Sequence, residues 1–269
     1  METQVGCLTQ KSSQTIGVKP TVLDIMSRKV VTAYADSNVS NAIKLMVQKN
    51  IGSIVIKDNT GPVGIFTERD LIKNVLAKGI APETQILMEV TPQAFNEIKE
   101  DQSLGDAARK MVSKKARLTV FEGDELVGIV TASDIVRAIY DNDIRFFVSD
   151  CIRKNVVVVD PQTQANEVIQ IMNKKRIGSV LVGSGDDLGI FTERDMLRKL
   201  LSRRVPLSSP VKDFTTRPLI TGAYGIGAFE VAQIMNKNRI KRLPLMRVGK
   251  VAGILTAIDL VKACALRVK

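Results

Sequence analysis

Apolar residues recur along this chain in one register, four times over. Around Met46, Met111, Met172 and Met235, apolar side chains stand at i, i−3, i−4 and i−7. The companions are Val39, Ala42 and Ile43; Leu104, Ala107 and Ala108; Ala165, Val168 and Ile169; and Ala228, Val231 and Ala232. That spacing is one face of an amphipathic helix. Each Met helix is followed by a short β-like run, at 53–56, 118–121, 179–182 and 242–245, and a turn rich in Gly, Asp or Asn, as at 58–61 and 183–187. A second β run then closes in a repeated phrase. Its copies are Gly64-Ile65-Phe66-Thr67-Glu68-Arg69-Asp70, Gly128-Ile129-Val130-Thr131-Ala132-Ser133-Asp134, Gly189-Ile190-Phe191-Thr192-Glu193-Arg194-Asp195 and Gly253-Ile254-Leu255-Thr256-Ala257-Ile258-Asp259. A second apolar-periodic helix, such as Leu71, Ile72, Val75 and Leu76, continues from it, and a β-branched run precedes each Met helix, clearest at 30–32 and 156–159. The unit reads β-α-β-β-α.

The four Asp residues are spaced 64, 61 and 64 apart, so one structural unit is copied four times. The phrases Val22-Leu23-Asp24, Val148-Ser149-Asp150 and Val211-Lys212-Asp213 keep the same register upstream. The expected fold class is α+β, with repeats at 21–80, 84–141, 147–204 and 209–266 behind a mobile tail at 1–20. A unit of about 60 residues is marginal alone, because it buries only about 60% of its unfolded surface. Copies should pack as pairs, 1 with 2 and 3 with 4, with 141–147 joining the pairs.

Composition narrows the chemistry. The chain lacks His and Trp, which removes the commonest metal ligand and general base and every Ser-His or Cys-His scheme. Cys7, Cys151 and Cys264 have no metal or disulfide spacing, and no Walker-type loop is present. No run of 18 apolar residues occurs, so a soluble cytoplasmic protein without membrane contact is expected. Residues 147–269 carry 21 Lys or Arg against 10 Asp or Glu, whereas residues 1–146 carry 18 of each. The whole excess of +11 sits on the second half, which suits a solvated surface, a phosphate-bearing ligand or a polyanion.

Thr-x-x-Asp at a helix start has two readings. The Thr and Asp can cap the helix reciprocally, worth about 1 kcal/mol with no ligand involved. The same strand-to-helix turn also offers orphan N–H groups to an anion, and its Asp can accept two hydrogen bonds from a ribose diol. With a neighbouring apolar strand to receive a flat base, this describes a nucleoside phosphate.

The β-α-β-β-α unit, the Gly-h-h-Thr-x-x-Asp ending and the Ile-Gly-Ser or Arg-Leu-Pro lead-in to the second strand resemble CBS (cystathionine β-synthase) domains. The resemblance spans residues 21–266. CBS domains work in pairs, called Bateman modules, and a four-copy chain is similar to the γ subunits of AMP-activated protein kinase. The resemblance implies two modules closing into a flat disk. It also implies a non-catalytic regulator that senses AMP, ADP, ATP or S-adenosylmethionine, each ligand lying between the Thr-x-x-Asp turn of one repeat and the strands of its partner.

Carried over, Thr192, Arg194 and Asp195 would face Thr221, Lys241, Arg242 and Pro244. This set best matches the family pattern, with Lys241 where the family has His. Thr131 and Asp134 would face Thr32 and Ile51-Gly52-Ser53, the second-best match. Thr67, Arg69 and Asp70 would face Glu97, an acid that repels phosphate unless Arg117 compensates. Thr256 and Asp259 would face Val158 and Ile177-Gly178-Ser179, and Val158 cannot hydrogen-bond a base. Arg69 and Arg194 suit phosphate oxygens and suit an exposed helix face equally well. An unidentified regulated protein and a homodimer are the partners implied. The competing reading is a nucleic-acid or polyanion scaffold on the basic half, although no known nucleic-acid motif is visible.

Overall fold

The structure, a computed structural model, describes residues 20–92 and 95–268. The expected tail at 1–20, apart from Pro20, lies outside the described residues, as does Cys7. Each Met stripe folds into an α-helix: Val39–Gln48, Leu104–Lys114, Ala165–Lys175 and Ala228–Asn238. The four methionines are at most 2% exposed. Four residues past each Met, the chain turns through a left-handed residue: Asn50, Lys115, Arg176 or Arg239, with φ of 53–54°. A residue in that conformation stops the helix and redirects the chain into the next strand.

The second strand of each repeat pairs antiparallel with the Gly-h-h-Thr strand: Ser53–Asp58 with Gly61–Thr67, Leu118–Glu122 with Glu125–Val130, Ser179–Val182 with Gly189–Thr192, and Arg242–Arg247 with Lys250–Thr256. A short first strand joins in parallel at Thr32–Tyr34, Val158–Val159 and Gly222–Ala223. In the second repeat a single bridge, Glu97 to Thr119, takes its place.

The second helix comes in two forms. In repeats 2 and 4 it is a straight α-helix, Ala132–Asp141 and Ala257–Arg267. In repeats 1 and 3 one α turn, Glu68–Asp70 or Glu193–Asp195, opens into a wide π turn, Leu71–Val75 or Met196–Leu200, and closes in a 3-10 turn. The single regular helix expected at Leu71, Ile72, Val75 and Leu76 is therefore distorted. More residues per turn swing these four side chains onto a narrower arc, and all are at most 6% exposed.

The segments between repeats are exchanged within each pair. Val22, Ile25 and Met26, at the start of repeat 1, pack into the core of repeat 2, while Leu87 and Val90, at the start of repeat 2, pack into that of repeat 1. Val148 joins repeat 4 and Val211 joins repeat 3 in the same way. This exchange makes modules of 1 with 2 and 3 with 4, as expected. The hydrophobic cores run across the modules instead. One core merges the helices of repeats 1 and 3, the other those of repeats 2 and 4. The sheets and linkers face the module partner, so each unit turns its remaining helical face to the other module. The result is a closed ring in the order 1-2-4-3.

Candidate ligand site

All four Thr-x-x-Asp turns form the reciprocal cap. In each, Asp Oδ2 accepts from the Thr backbone N–H at 2.8–3.0 Å and from the Thr hydroxyl at 2.5–2.7 Å. One carboxylate oxygen is thus committed to the helix, and the other sets what a site can do. An exchanged linker reaches that oxygen. Ser27 pairs backbone to backbone with Ile129, Thr216 with Ile190 and Arg153 with Ile254, each partner lying five residues before the repeat's Asp. From there Ser27 Oγ lies 3.3 Å from Asp134 Oδ1, and Thr216 Oγ1 donates to Asp195 Oδ1 at 2.7 Å. Arg153 grips both oxygens of Asp259 at 3.0–3.2 Å. A helix cation one turn on also reaches three of these acids: Arg137 at 3.0 Å, Lys199 at 2.8 Å and Lys262 at 3.4 Å. At Asp70, burial raises the carboxyl pKa, against the Thr67 hydrogen bonds and the nearby Arg117.

Two cavities open in the ring. The first, of about 350 Å³, lies between repeats 1 and 2. Asp134 with its partner Arg137, Thr131 and Ser27 form one end, Val30, Val31, Ile51 and Val55 an apolar wall, and Arg117, Arg194 and Lys241 a cationic end, with Lys29 and Arg239 also in the lining. Its size falls within the usual range for small-molecule sites. The second cavity, of about 620 Å³, is the counterpart between repeats 3 and 4. It is lined by Thr256, Arg153 and Lys262, by Val156, Val157, Ile177 and Leu181, and by Arg69, Arg176 and Arg242. Arg117 and Lys241 line both.

Those shared cations belong to a buried charge cluster at the ring centre. Repeats 1 and 3 meet there reciprocally, Arg69 with Glu193 at 3.6 Å and Arg194 with Glu68 at 3.7 Å. Repeat 4 adds Lys241, 3.9 Å from Glu68, and Arg242, which is hydrogen-bonded to Glu193. Repeat 2 adds Arg117, which donates to the Gly52 carbonyl at 3.0 Å. Five cations surround two carboxylates. Burial opposes ionisation of Glu193, but Arg242 and Arg69 outweigh it and hold its pKa low. Burial pushes Lys241 down to about 8, and the neighbouring Arg194, Arg117 and Arg242 act in the same direction against Glu68. Burial also lowers Arg117. Glycine makes the cluster possible: a Cβ at Gly178 would stand 1.8 Å from Arg242 Nη2, and one at Gly52 2.9 Å from Lys241 Nζ.

The first cavity brings together Thr131, Asp134, Ile51, Gly52, Ser53, Arg117, Arg194 and Lys241. Thr256, Ile177, Gly178, Ser179, Arg69 and Arg242 meet in the second. Thr67, Asp70, Thr192, Asp195, Asp259, Thr221 and Pro244 line neither, nor does Thr32. Thr32, Glu97 and Val158 are exposed, and none of them lines either cavity. Alternation along a strand gives the wall to Val31 and Val157 instead. Sequence reasoning missed Ser27, Arg153 and Thr216. A signal for them existed, since each stands three residues past the Asp of a Val-x-Asp phrase. It also missed Glu68 and Glu193 as partners of the cations.

Among the described residues, no group of three or more His, Cys, Asp or Glu is placed to hold a metal ion, and no helix is long and apolar enough to cross a membrane. The family model described as the CBS domain matches residues 22–77, 95–141, 148–202 and 211–266. The protein MJ1404 of Methanocaldococcus jannaschii is 26% identical over 266 residues, covering 91% of this chain and 62% of that one. MK0525 of Methanopyrus kandleri is 32% identical over 117 residues, 42% of this chain and 60% of that one. This chain spans about three fifths of the length of such relatives. The crystal structure of MJ1225 from M. jannaschii, described as a candidate archaeal homologue of γ-AMPK, superposes with a TM-score of 0.75 at 21% identity, covering 90% of this chain and 99% of that one.

Proposed function

The chain belongs to the CBS-domain family, whose members are in general non-catalytic regulatory modules, and we propose that it is a sensor that binds AMP, ADP or ATP in the cavity between repeats 1 and 2. The observation that carries this reading is the make-up of that cavity, with the Asp134 carboxylate and its partner Arg137 at one end and Arg117, Arg194 and Lys241 at the other. In this reading Asp134 accepts from the ribose hydroxyls, the apolar wall of Val30, Val31, Ile51 and Val55 takes the base, and the cations take the phosphates. The cationic end favours phosphate over S-adenosylmethionine, whose sulfonium would add charge of the same sign. Part of the basic excess of the second half, Arg176, Arg239, Lys241 and Arg242, lines the two cavities. That placement fits a small anion better than a polyanion lying on the outer surface.

The ligand bridges two repeats, so its occupancy would favour one arrangement of the module over another. The activity it controls lies outside these residues. Calorimetric titration and thermal unfolding with AMP, ADP, ATP and S-adenosylmethionine test the reading. At 100 times the dissociation constant, a nucleotide stabilises by about 2.7 kcal/mol, and Asp134→Asn should remove most of the gain. If none of the three nucleotides moves the melting transition, the reading is wrong. A DNA or RNA gel shift that fades with salt would favour the polyanion alternative.

A further inference from the structure

The two cavities are counterparts built by the same exchange of linkers, but they differ at the residue that meets the repeated aspartate. In the first module it is Ser27, whose hydroxyl lies 3.3 Å from Asp134 Oδ1, an oxygen that also accepts from Arg137 at 3.0 Å, while Oδ2 meets only the cap. In the second it is Arg153, on the same antiparallel backbone bridge. The Asp259 carboxylate then has every acceptor position filled: the cap from Thr256, three contacts from Arg153 and one from Lys262. The consequence shows in the cavity walls. Asp134 lines the first cavity, whereas in the second Arg153 lines the wall and Asp259 lies behind it.

We propose that Arg153 determines specificity, acting as an internal substitute for a vicinal diol and closing the second cavity to ribose recognition while the first stays open. This rests on the nucleotide reading of the first cavity. A ribose can reach Asp259 only by displacing a two-pronged, charge-assisted contact, one of the stronger kinds of hydrogen bond a carboxylate makes. Arg153 is 42% exposed at its side chain, so solvent weakens the contact, and the handicap is about ten- to hundredfold in affinity. Nucleotide concentrations that saturate the first cavity should therefore leave the second empty.

The test is calorimetric titration of the full chain with AMP and with 2′-deoxyadenosine monophosphate, on the wild type, Arg153→Ser and Ser27→Arg. The expected stoichiometries for AMP are one per chain, two per chain and none. The site gained in Arg153→Ser should prefer AMP over the deoxy compound by at least tenfold, a preference that mere loosening of the fold would not create. Thermal unfolding confirms that each variant is folded, and Arg153→Gln serves if the serine variant is not. Two equal AMP sites in the wild type, or one site in the folded Arg153 variant, overturns the inference and leaves the nucleotide reading standing. No AMP binding in any of the proteins overturns both.

Discussion

Lys241 makes the nucleotide reading testable by pH. Its ammonium lines both cavities, and burial among Arg194, Arg117 and Arg242 brings its pKa from 10.5 to about 8. A bound phosphate supplies the negative charge the site lacks and restores the charged form, so binding takes up a proton once the free lysine is neutral. With a free-state pKa near 8, the charged fraction is about three quarters at pH 7.5 and about a tenth at pH 9. AMP affinity should thus fall about eightfold over that interval, or about 1.2 kcal/mol. The second ionisation of the phosphate, near pH 6, is already complete and contributes nothing.

Stability without ligand should move the opposite way. The folded lysine is more acidic than the unfolded one, so the unfolded chain holds more protons between pH 8 and 10.5, and stability rises with pH across that window. The lysine side chain keeps 31% exposure, so screening reduces the gain to about 1–2 kcal/mol. Titrations in two buffers of different ionisation enthalpy should report close to one proton taken up per AMP at pH 9. Lys241→Arg should bind AMP with no such dependence, because arginine stays charged. A flat affinity from pH 7.5 to 9 with no proton uptake would refute the placement of phosphate against Lys241.

Other consequences concern the ring itself. Gly178→Ala should eject Arg242 from Glu193 and cost about 2 kcal/mol, seen as a lower melting temperature, because the displaced guanidinium leaves a buried carboxylate. Met172→Ala should cost about 2–5 kcal/mol in urea unfolding, since Met172 is 0% exposed in the core shared by repeats 1 and 3. Thr192→Val removes a helix cap, and Thr192 itself lines neither cavity, so it should cost about 1 kcal/mol of stability and change AMP affinity less than Arg194→Ala, which removes the residue of that turn that lines the first cavity.

The elements of this fold were legible because each repeat obeys local rules. A Met stripe at helical spacing, a turn and a capping phrase determine helix, hairpin and helix without distant information. The ring was less legible. Ala107 and Ala108 face a core in either arrangement, and nothing in their spacing says whether the opposing helix comes from repeat 1 or repeat 4. The distortion at Leu71–Val75 likewise has no signal in the spacing, since the regular helices of repeats 2 and 4 also bury four apolar residues, such as Ile135, Val136, Ala138 and Ile139.

At the site, the sequence named the repeated aspartates, and the structure shows that only one of the four lines a cavity. Thr-x-x-Asp reads identically whether the second carboxylate oxygen faces a cavity or a guanidinium, because the deciding residue lies outside the motif, 106 positions from Asp259 for Arg153 and 21 from Asp195 for Thr216. A motif therefore specifies an acceptor, while the exchanged linker specifies its occupant. That division shows at Asp195, in the copy with the best family pattern: Thr216 and Lys199 meet its second oxygen, and of its turn only Glu193 and Arg194 reach the cavities. At Asp134, in the plainer copy, Ser27 and Arg137 meet the second oxygen, and the carboxylate still lines a cavity. Duplication thus fixes where each aspartate stands, and the exchanged linker decides which of the protein's own groups meets it.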